Sequence, residues 1–445
     1  MKNRWGIALS AVGIHASLGI IYAWSVFKAP FMDEFGWSEF QAGIPFGLSI
    51  FCLGISAAMM GHVVEKRGPR FSGLVACVLW AIGQGGISLV TSDFIADNTL
   101  RMWLVYLFCI IGGIGLGTGY VTPVATLMKW FPDRRGLATG LAIMGFGLGA
   151  FLGAPIMAIM ISGGQIISIL NFDLILPFTI PTLGVSATFA VLAIICAVVM
   201  LFSALYLEVP ANDGKFLQTE LKMGKQPKNK LRNGLFPMMA NEAVRTWPFY
   251  GLWLMMFINI LCGIALISVI SPMTQEITGV SAVVAGGIVG IFGLFNGLGR
   301  IGWAYFSDLI GRPSTYILFF IGQIIAFYFL PAINSIVIFQ CILYFIASCY
   351  GGGYATLPAY IGDLFGTRQV SAIHGYILTS WAIAGITGSS LASLLHSKTG
   401  SYITMMMIFA VIMFIGLLVS CCLKIFIVKA LANKKSAKQV SQNLC

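Results

Sequence analysis

Twelve runs of predominantly apolar residues follow one another along this chain, and their length leaves few folds open. They occupy 5–31, 41–63, 71–92, 101–127, 137–161, 182–207, 247–274, 281–306, 314–332, 334–361, 370–395 and 402–427. An α-helix of roughly 20 residues crosses the hydrocarbon core of a bilayer. In lipid every backbone N–H and C=O needs an internal partner, so a run this long spans as a helix. Apolar residues make up 58% of the 445 and charged residues only 9%, too few charges to cover a water-soluble domain of this size. The expected fold is an all-α integral membrane protein, twelve transmembrane helices in two six-helix bundles.

The net charge of +11 resolves into a topology signal once it is mapped. Lys2, Arg4, Lys66, Arg67, Arg70, Lys129, Arg134, Arg135, Arg312, Arg368, the basic 215–245 segment and the Lys-rich tail fall on one side; Lys28, Arg101 and Lys398 fall on the other. That asymmetry places both termini in the cytoplasm of a multi-pass plasma-membrane protein, the inner membrane in a bacterium. The partner of the basic surface is the lipid bilayer, not nucleic acid. The N-terminal Met-Lys-Asn-Arg precedes an apolar run too long for a signal peptide and reads as the first span. The ten cysteines show no paired spacing, so neither a disulfide framework nor a metal site is indicated. No cofactor is expected, and the chain is taken as a monomer.

One polar segment is long. It divides the chain into an N-terminal bundle 1–207, a basic cytoplasmic linker 208–246, a C-terminal bundle 247–428 and a basic tail 429–445. The other loops read as short and polar. The two bundles repeat each other. At an offset of 234, Gly117-Thr-Gly-Tyr120-Val-Thr122 aligns with Gly351-Gly-Gly-Tyr354-Ala-Thr356. At an offset of 243, Gly43, Gly47 and Gly54 fall on Gly286, Gly290 and Gly297, and Glu65 on Asp308. Parallel six-helix repeats are the layout of a transporter whose substrate site lies between the halves near the midplane.

Arg300 breaks this repeat, because its counterpart is Ala57. Arg at the centre of a span costs about 2.5–3.5 kcal/mol on insertion scales. It lies eight residues before Asp308, about 12 Å of helix from the membrane edge and too far for easy snorkelling. An ionisable group at such depth reads as an anion site. Asn296 precedes it by one turn, on the same face, where an amide orients the guanidinium or meets substrate. Tyr22, Tyr120 and Tyr354 offer hydroxyl donors for a second carboxylate oxygen. Trp381 and His374 lie seven residues apart in span eleven, with Trp381 placed to sense substrate size. His15 and His374, histidines inside spans one and eleven, are the candidate proton sites. No Asp or Glu falls mid-span. Asn259 in span seven is a weaker candidate than either histidine, and Lys28 reads as a charge at the outer mouth.

Two loops suggest a conformational latch: Gly61-His-Val-Val-Glu65-Lys-Arg67-Gly68-Pro-Arg70 and Asp308-Leu-Ile-Gly311-Arg312. A carboxylate at a helix end can meet the N–H groups of a helix in the other half while Arg67, Arg70 and Arg312 bridge neighbouring ends. The first loop resembles the signature loop of the major facilitator superfamily, with Glu65 where Asp is usual, and the second is a shorter copy. Within that superfamily the chain resembles the oxalate/formate–monocarboxylate porter branch, on Tyr22-Ala-Trp-Ser-Val-Phe27, Gly119-Tyr120, Asn296-Gly-Leu-Gly-Arg300 and Gly353-Tyr354-Ala-Thr-Leu-Pro358. The resemblance implies that Arg300 is the carboxylate ligand. Where oxalate exchangers of the branch carry a second cation in helix eleven, this chain has Trp381. Where proton-linked animal relatives carry Asp one turn before the Arg, it has Asn296.

The resulting expectation is a secondary transporter of small monocarboxylate anions of lactate, pyruvate or formate size, by symport with H⁺ or antiport with a counter-anion. The alternatives are an oxalate/formate-type antiporter and, from another class, a carboxylate sensor without net transport. A hydrophobic-compound efflux pump would call for acidic residues in the cavity. No nucleophile–base pair or metal-ligand spacing points to an enzyme.

Overall fold

The computed structural model describes residues 3–131, 135–169, 172–210, 234–333, 335–366 and 370–443. Among them, 12 helices are long and apolar enough to cross a membrane. Six spans in each half bring the described residues nearest both chain ends, and those flanking the 208–246 segment, to one face, here called the terminal face; the opposite one is the distal face.

Short local signals fix where helices begin and end. Ser38 and Gln41 form a capping box: the Ser38 hydroxyl accepts the Gln41 N–H at 3.2 Å, and the Gln41 side chain accepts the Ser38 N–H at 2.8 Å. This starts span two (Glu39–Met60) with Glu39 in its first turn. Left-handed Gly279 and Gly400 stop spans seven (Trp247–Thr278) and eleven (Ala372–Thr399) at the same face. The 61–70 loop is mostly helical. Span two runs into span three (Lys66–Val90) across a single turn at Gly68, whose φ of 81° suits glycine.

Several expectations are corrected. The connection between spans five (Gly140–Ser162) and six (Gly184–Tyr206) is an antiparallel hairpin, β1 (Gly164–Ile169) and β2 (Phe172–Ile180), rather than a short polar loop. It packs on the distal ends of spans five and eight (Ala282–Ile310). It is too short to span, and its pairing satisfies the backbone of an apolar stretch. The basic tail continues the last helix, which runs Tyr402–Asn443. Span eleven breaks at Leu378 into Val370–Ile377 and Thr379–Thr399. The charges given to the distal loops are in part internal. Arg101 is buried and donates from Nε to the Val90 carbonyl at 3.1 Å. Lys28, taken as a charge at the mouth, is 1% exposed and ion-paired to Glu39 at 2.7 Å. A buried ammonium needs a partner, and the first turn of span two supplies it.

The halves meet along two seams of small residues. In one, span two lies on span eleven: a Cβ on Gly43 would fall 2.5 Å from Ser393 Oγ, and one on Gly54 2.8 Å from Ala382. In the other, span eight lies on span five: a Cβ on Gly286 would fall 2.5 Å from Ala158 Cβ, and one on Gly290 2.8 Å from the Phe151 carbonyl. At Gly54 and Gly290 the opposing backbone leaves no room for a larger residue, and at Gly43 and Gly286 a neighbouring side chain would have to move. Toward the terminal face the packing loosens. Gly140 reaches Ile301 only at ordinary contact distance, 3.6 Å, while Gly302 and Gly375 face open space.

Candidate functional site

Near the middle of the spans, residues of both halves converge on Arg300. The guanidinium is 2% exposed. Close crossing of spans eight and ten (Ile336–Phe365) makes its berth: a Cβ on Gly351 would meet the Asn296 carbonyl and approach Arg300 Cγ at 3.3 Å. Nη2 donates to the Asn296 side-chain oxygen at 3.3 Å, and Nη1 donates across the seam to the Ile143 carbonyl of span five at 3.2 Å. Nε is buried without a hydrogen-bond partner. Among the described residues no carboxylate pairs with Arg300. The Asn296 amide is anchored in turn by donating to the Ala347 carbonyl at 3.5 Å. The i, i+4 pairing expected from the sequence is therefore present, and Asn296 both orients Arg300 and ties span eight to span ten.

Three predicted tyrosines arrive at this point. Tyr22 sits where span one tightens into a 3₁₀ turn, Ile20–Ala23. Its hydroxyl lies 3.3 Å from that of Tyr350, which lies 3.2 Å from that of Tyr354. The Tyr354 ring presents its face to the guanidinium at 5.3 Å, a cation–π contact. Trp381 is wedged edge-on between the repeat-related tyrosines, 5.2 Å from Tyr120 and 5.0 Å from Tyr354. The Tyr22–Tyr350, Tyr120–Trp381 and Arg300–Ile143 contacts all cross between halves.

Tyr350 joins the cluster without having been expected from the sequence. It stands one turn before Tyr354 on the same helix face, and that spacing is the available signal. Its first-half counterpart at the 234 offset is Leu116, so the repeat gives no hint of it.

The two candidate proton histidines differ. His15 lies at the edge of the cluster, its ring 5.4 Å from Tyr120 and 5.5 Å from Phe146. Its Nδ1 and Nε2 face the Ala142 and Tyr120 carbonyls at 2.5 and 3.0 Å. His374 is not brought into the cluster. It belongs to the short helix before the Leu378 break, with Nε2 buried and unpartnered. Asn259 is glue, donating to the Tyr350 carbonyl at 3.5 Å and accepting from Gln323 at 3.0 Å.

The latch residues with described side chains, Arg67, Arg70, Asp308 and Arg312, make the following contacts, all within their own halves. Arg70 meets Glu208 at 3.4 Å, both exposed, and Arg67 lies 5.0 Å over the Phe71 ring. Arg312 pairs with Asp308 and lies 3.9 Å from Asp363. The Glu65 side chain lies outside the described residues, as do Arg134 and Arg368.

A twelve-helix chain with two repeat-related seams and a polar cluster where they meet is a membrane transporter. It belongs to the major facilitator superfamily, whose family profile, Major Facilitator Superfamily, matches residues 9–262 and 252–443. Its relatives lie in the oxalate/formate–monocarboxylate branch. The chain is 26% identical over 403 residues to the oxalate:formate antiporter of Oxalobacter formigenes, covering 90% of this chain and 87% of that one. It is 22% identical over 464 residues to monocarboxylate transporter 10 of Rattus norvegicus, covering 99% and 80%. Among solved structures, a D-xylose–proton symporter superposes with a TM-score of 0.70 at 16% identity, covering 95% of this chain and 97% of that one, which establishes the shared fold.

Proposed function

We propose that this protein carries small monocarboxylate anions by alternating access, with the substrate carboxylate bound to Arg300. The observation that carries this reading is a buried guanidinium with no carboxylate partner among the described residues and a buried, unpartnered Nε. Holding such a charge is costly without an anion. A carboxylate supplies the missing charge and accepts from the guanidinium while the Tyr22–Tyr350–Tyr354 hydroxyls reach its second oxygen. Loading neutralises the site, so the closed, dry state becomes accessible with substrate aboard. The distal face is taken as the cell exterior and the terminal face as the cytoplasm of a plasma-membrane protein. The conformation described is then closed outside, and Glu65, Arg67, Arg70, Asp308 and Arg312 form their inter-half latch in the opposite state. Residues 208–246 act as the linker between the halves.

A second reading, oxalate/formate-type exchange, is favoured by the antiporter relative. Trp381 weighs against it: among the described residues the cluster holds one Arg and no second Arg or Lys, so a dianion lacks a partner. Counterflow of a labelled monocarboxylate panel in proteoliposomes separates the readings. Wild type is expected to prefer lactate, pyruvate or formate to oxalate; preference for oxalate overturns the charge count.

The central test is Arg300→Ala. Removing one side of a buried charge–carboxylate contact costs about 3–5 kcal/mol, more than a hundredfold in affinity. Uptake is expected to vanish in folded, inserted protein, and Arg300→Lys to recover little, because an ammonium lacks the planar fork. Near wild-type transport by Arg300→Ala sinks the assignment.

A further inference from the structure

The distal end of the span two–span eleven seam holds a second polar cluster, remote from Arg300. Glu39, only 9% exposed, accepts from Lys28 Nζ at 2.7 Å and from the Tyr402 hydroxyl at 3.3 Å through one oxygen. Its other oxygen meets His396 Nδ1. The opposite ring nitrogen, Nε2, lies 2.9 Å from Glu276 at the end of span seven. The imidazole stacks on Tyr402, centroids 3.9 Å apart. Lys28 also donates to Ser393 of span eleven at 3.2 Å. Lys28 and Glu39 belong to the first half; Glu276, Ser393, His396 and Tyr402 belong to the second. The remaining charge on the His396 helix nearby, Lys398, is exposed.

A neutral imidazole has one donor and one acceptor nitrogen, and a carboxylate only accepts. Two ring nitrogens facing two carboxylate oxygens therefore require one proton more than neutral His plus two carboxylates provide. Formal charge agrees: Lys28 with Glu39 and Glu276 sums to −1, and one added proton brings the group to zero. His15 shares the two-acceptor geometry, both of its nitrogens facing carbonyl oxygens, but those oxygens carry no formal charge to balance an added proton, whereas the His396 group does. A bound metal cation is a poor substitute for the proton, because the Lys28 ammonium already occupies Glu39 and no described group of His, Cys, Asp and Glu is suited to a metal.

We infer that Glu39, His396 and Glu276 form a proton-binding site that exists only while the distal face is closed. Separation of the halves takes Glu39 away from His396 as a neutral pair with Lys28, so the formal charge facing the imidazole stays at −1; what it loses is one of its two hydrogen-bond acceptors, and for that reason the open state holds the proton less tightly. By linkage, the state that binds the proton more tightly gains population as pH falls. Acid closes the distal face and alkali opens it. When the closed face reopens, the proton is released to the solvent on that side. The inference rests on alternating access but not on the identity of the carboxylate, and its test needs no substrate.

Spin labels at Asp93→Cys and Ser335→Cys, exposed distal positions on opposite halves, report the closed-to-open ratio by pulsed electron–electron distance measurement. The background has its native cysteines replaced and uptake retained. Between about pH 8 and about pH 5 the ratio is expected to rise by more than tenfold overall, and by no more than about tenfold per pH unit for a single proton. His396→Gln, which holds no titratable proton, is expected to flatten the profile. Glu276→Gln removes one of the two acceptors and is expected to move the midpoint to lower pH. A wild-type ratio that does not change with pH overturns the proposal, as does a full pH response in His396→Gln. If His396→Gln does not fold, Glu276→Gln decides: an unmoved midpoint overturns the site.

Discussion

The seam between spans two and eleven and the seam between spans five and eight are built by the same rule and finished differently. Gly43, Gly47 and Gly54 seat span two on span eleven; Gly286, Gly290 and Gly297, displaced by 243 positions, seat span eight on span five. Both let backbones approach with little to hold one surface to the other except close packing, which suits surfaces that must part and re-form. At the position where one seam has Ala57, however, the other has Arg300, which reaches across to the Ile143 carbonyl. At the distal end, the first seam finishes in a charged cluster and the second under an apolar hairpin. Repetition supplies the two close-packed seams, and the departures from repetition supply the buried charges beside them.

The largest effect expected from this comparison comes from filling the seams. Gly290→Leu and Gly47→Leu should each prevent distal closure and lower uptake by more than tenfold. The added side chain meets the Phe151 carbonyl and Pro155 Cδ in one case; in the other it meets the Ser389 hydroxyl, which can rotate aside, and behind it the Gly385 carbonyl and Ile386 Cα, which cannot. Overpacking of a tight contact costs roughly 1–3 kcal/mol or more. Equal losses at the two sites support equivalent seams. If only Gly290→Leu matters, the glycines of span two are packing alone and the comparison breaks. The distance measurement between Asp93 and Ser335 labels locates the defect in closure rather than in substrate binding.

The seams are legible in the sequence because glycine at a repeat-related position is a local, periodic signal. Arg300 and Asn296 are legible for a related reason: a charge and an amide one turn apart in an apolar helix are costly to insert, and a polar site is what offsets that cost. Tyr120 and Tyr354 follow from the 234 offset and flank Trp381 symmetrically. The distal cluster is not legible. Lys28, Glu39, Glu276 and His396 lie near the ends of four separate helices, and each alone resembles an ordinary charge where a helix leaves the membrane. Only their approach in space makes them a group. The hairpin is equally hidden, because Gly164–Ile180 is apolar yet too short to cross a membrane, so it matches neither a span nor a polar loop.

A smaller effect sharpens the asymmetry at Arg300. Asn296 has no polar counterpart on span two, where the 243 offset lands on Leu53. Asn296→Ala removes a neutral hydrogen bond to the guanidinium and the tie to Ala347, at a cost of about 1–2 kcal/mol, roughly five- to thirtyfold in carboxylate affinity. Binding to purified protein measures it. A loss as large as that of Arg300→Ala would mean that the amide is itself a principal ligand, and no measurable loss that Arg300 is oriented by Ile143 and Tyr354 alone.

The smallest effect concerns the segment that joins the halves in sequence. Residues 208–246 are rich in lysine and poor in apolar residues at helical spacing, and their described end lies against span ten: the Leu235 and Phe236 N–H groups donate to the Asp363 and Leu364 carbonyls at 2.9 and 2.7 Å. If the seams alone set how the halves meet, the sequence between Asp213 and Lys230 contributes length and little else. Replacing that stretch with a Gly/Ser linker of equal length is expected to leave substrate affinity within about twofold, because closing a flexible loop depends only weakly on its composition. Affinity measured on the exchanged protein checks this. A tenfold loss would place the basic segment in the cavity or its gate, and the seams would then no longer be sufficient to set how the two halves meet.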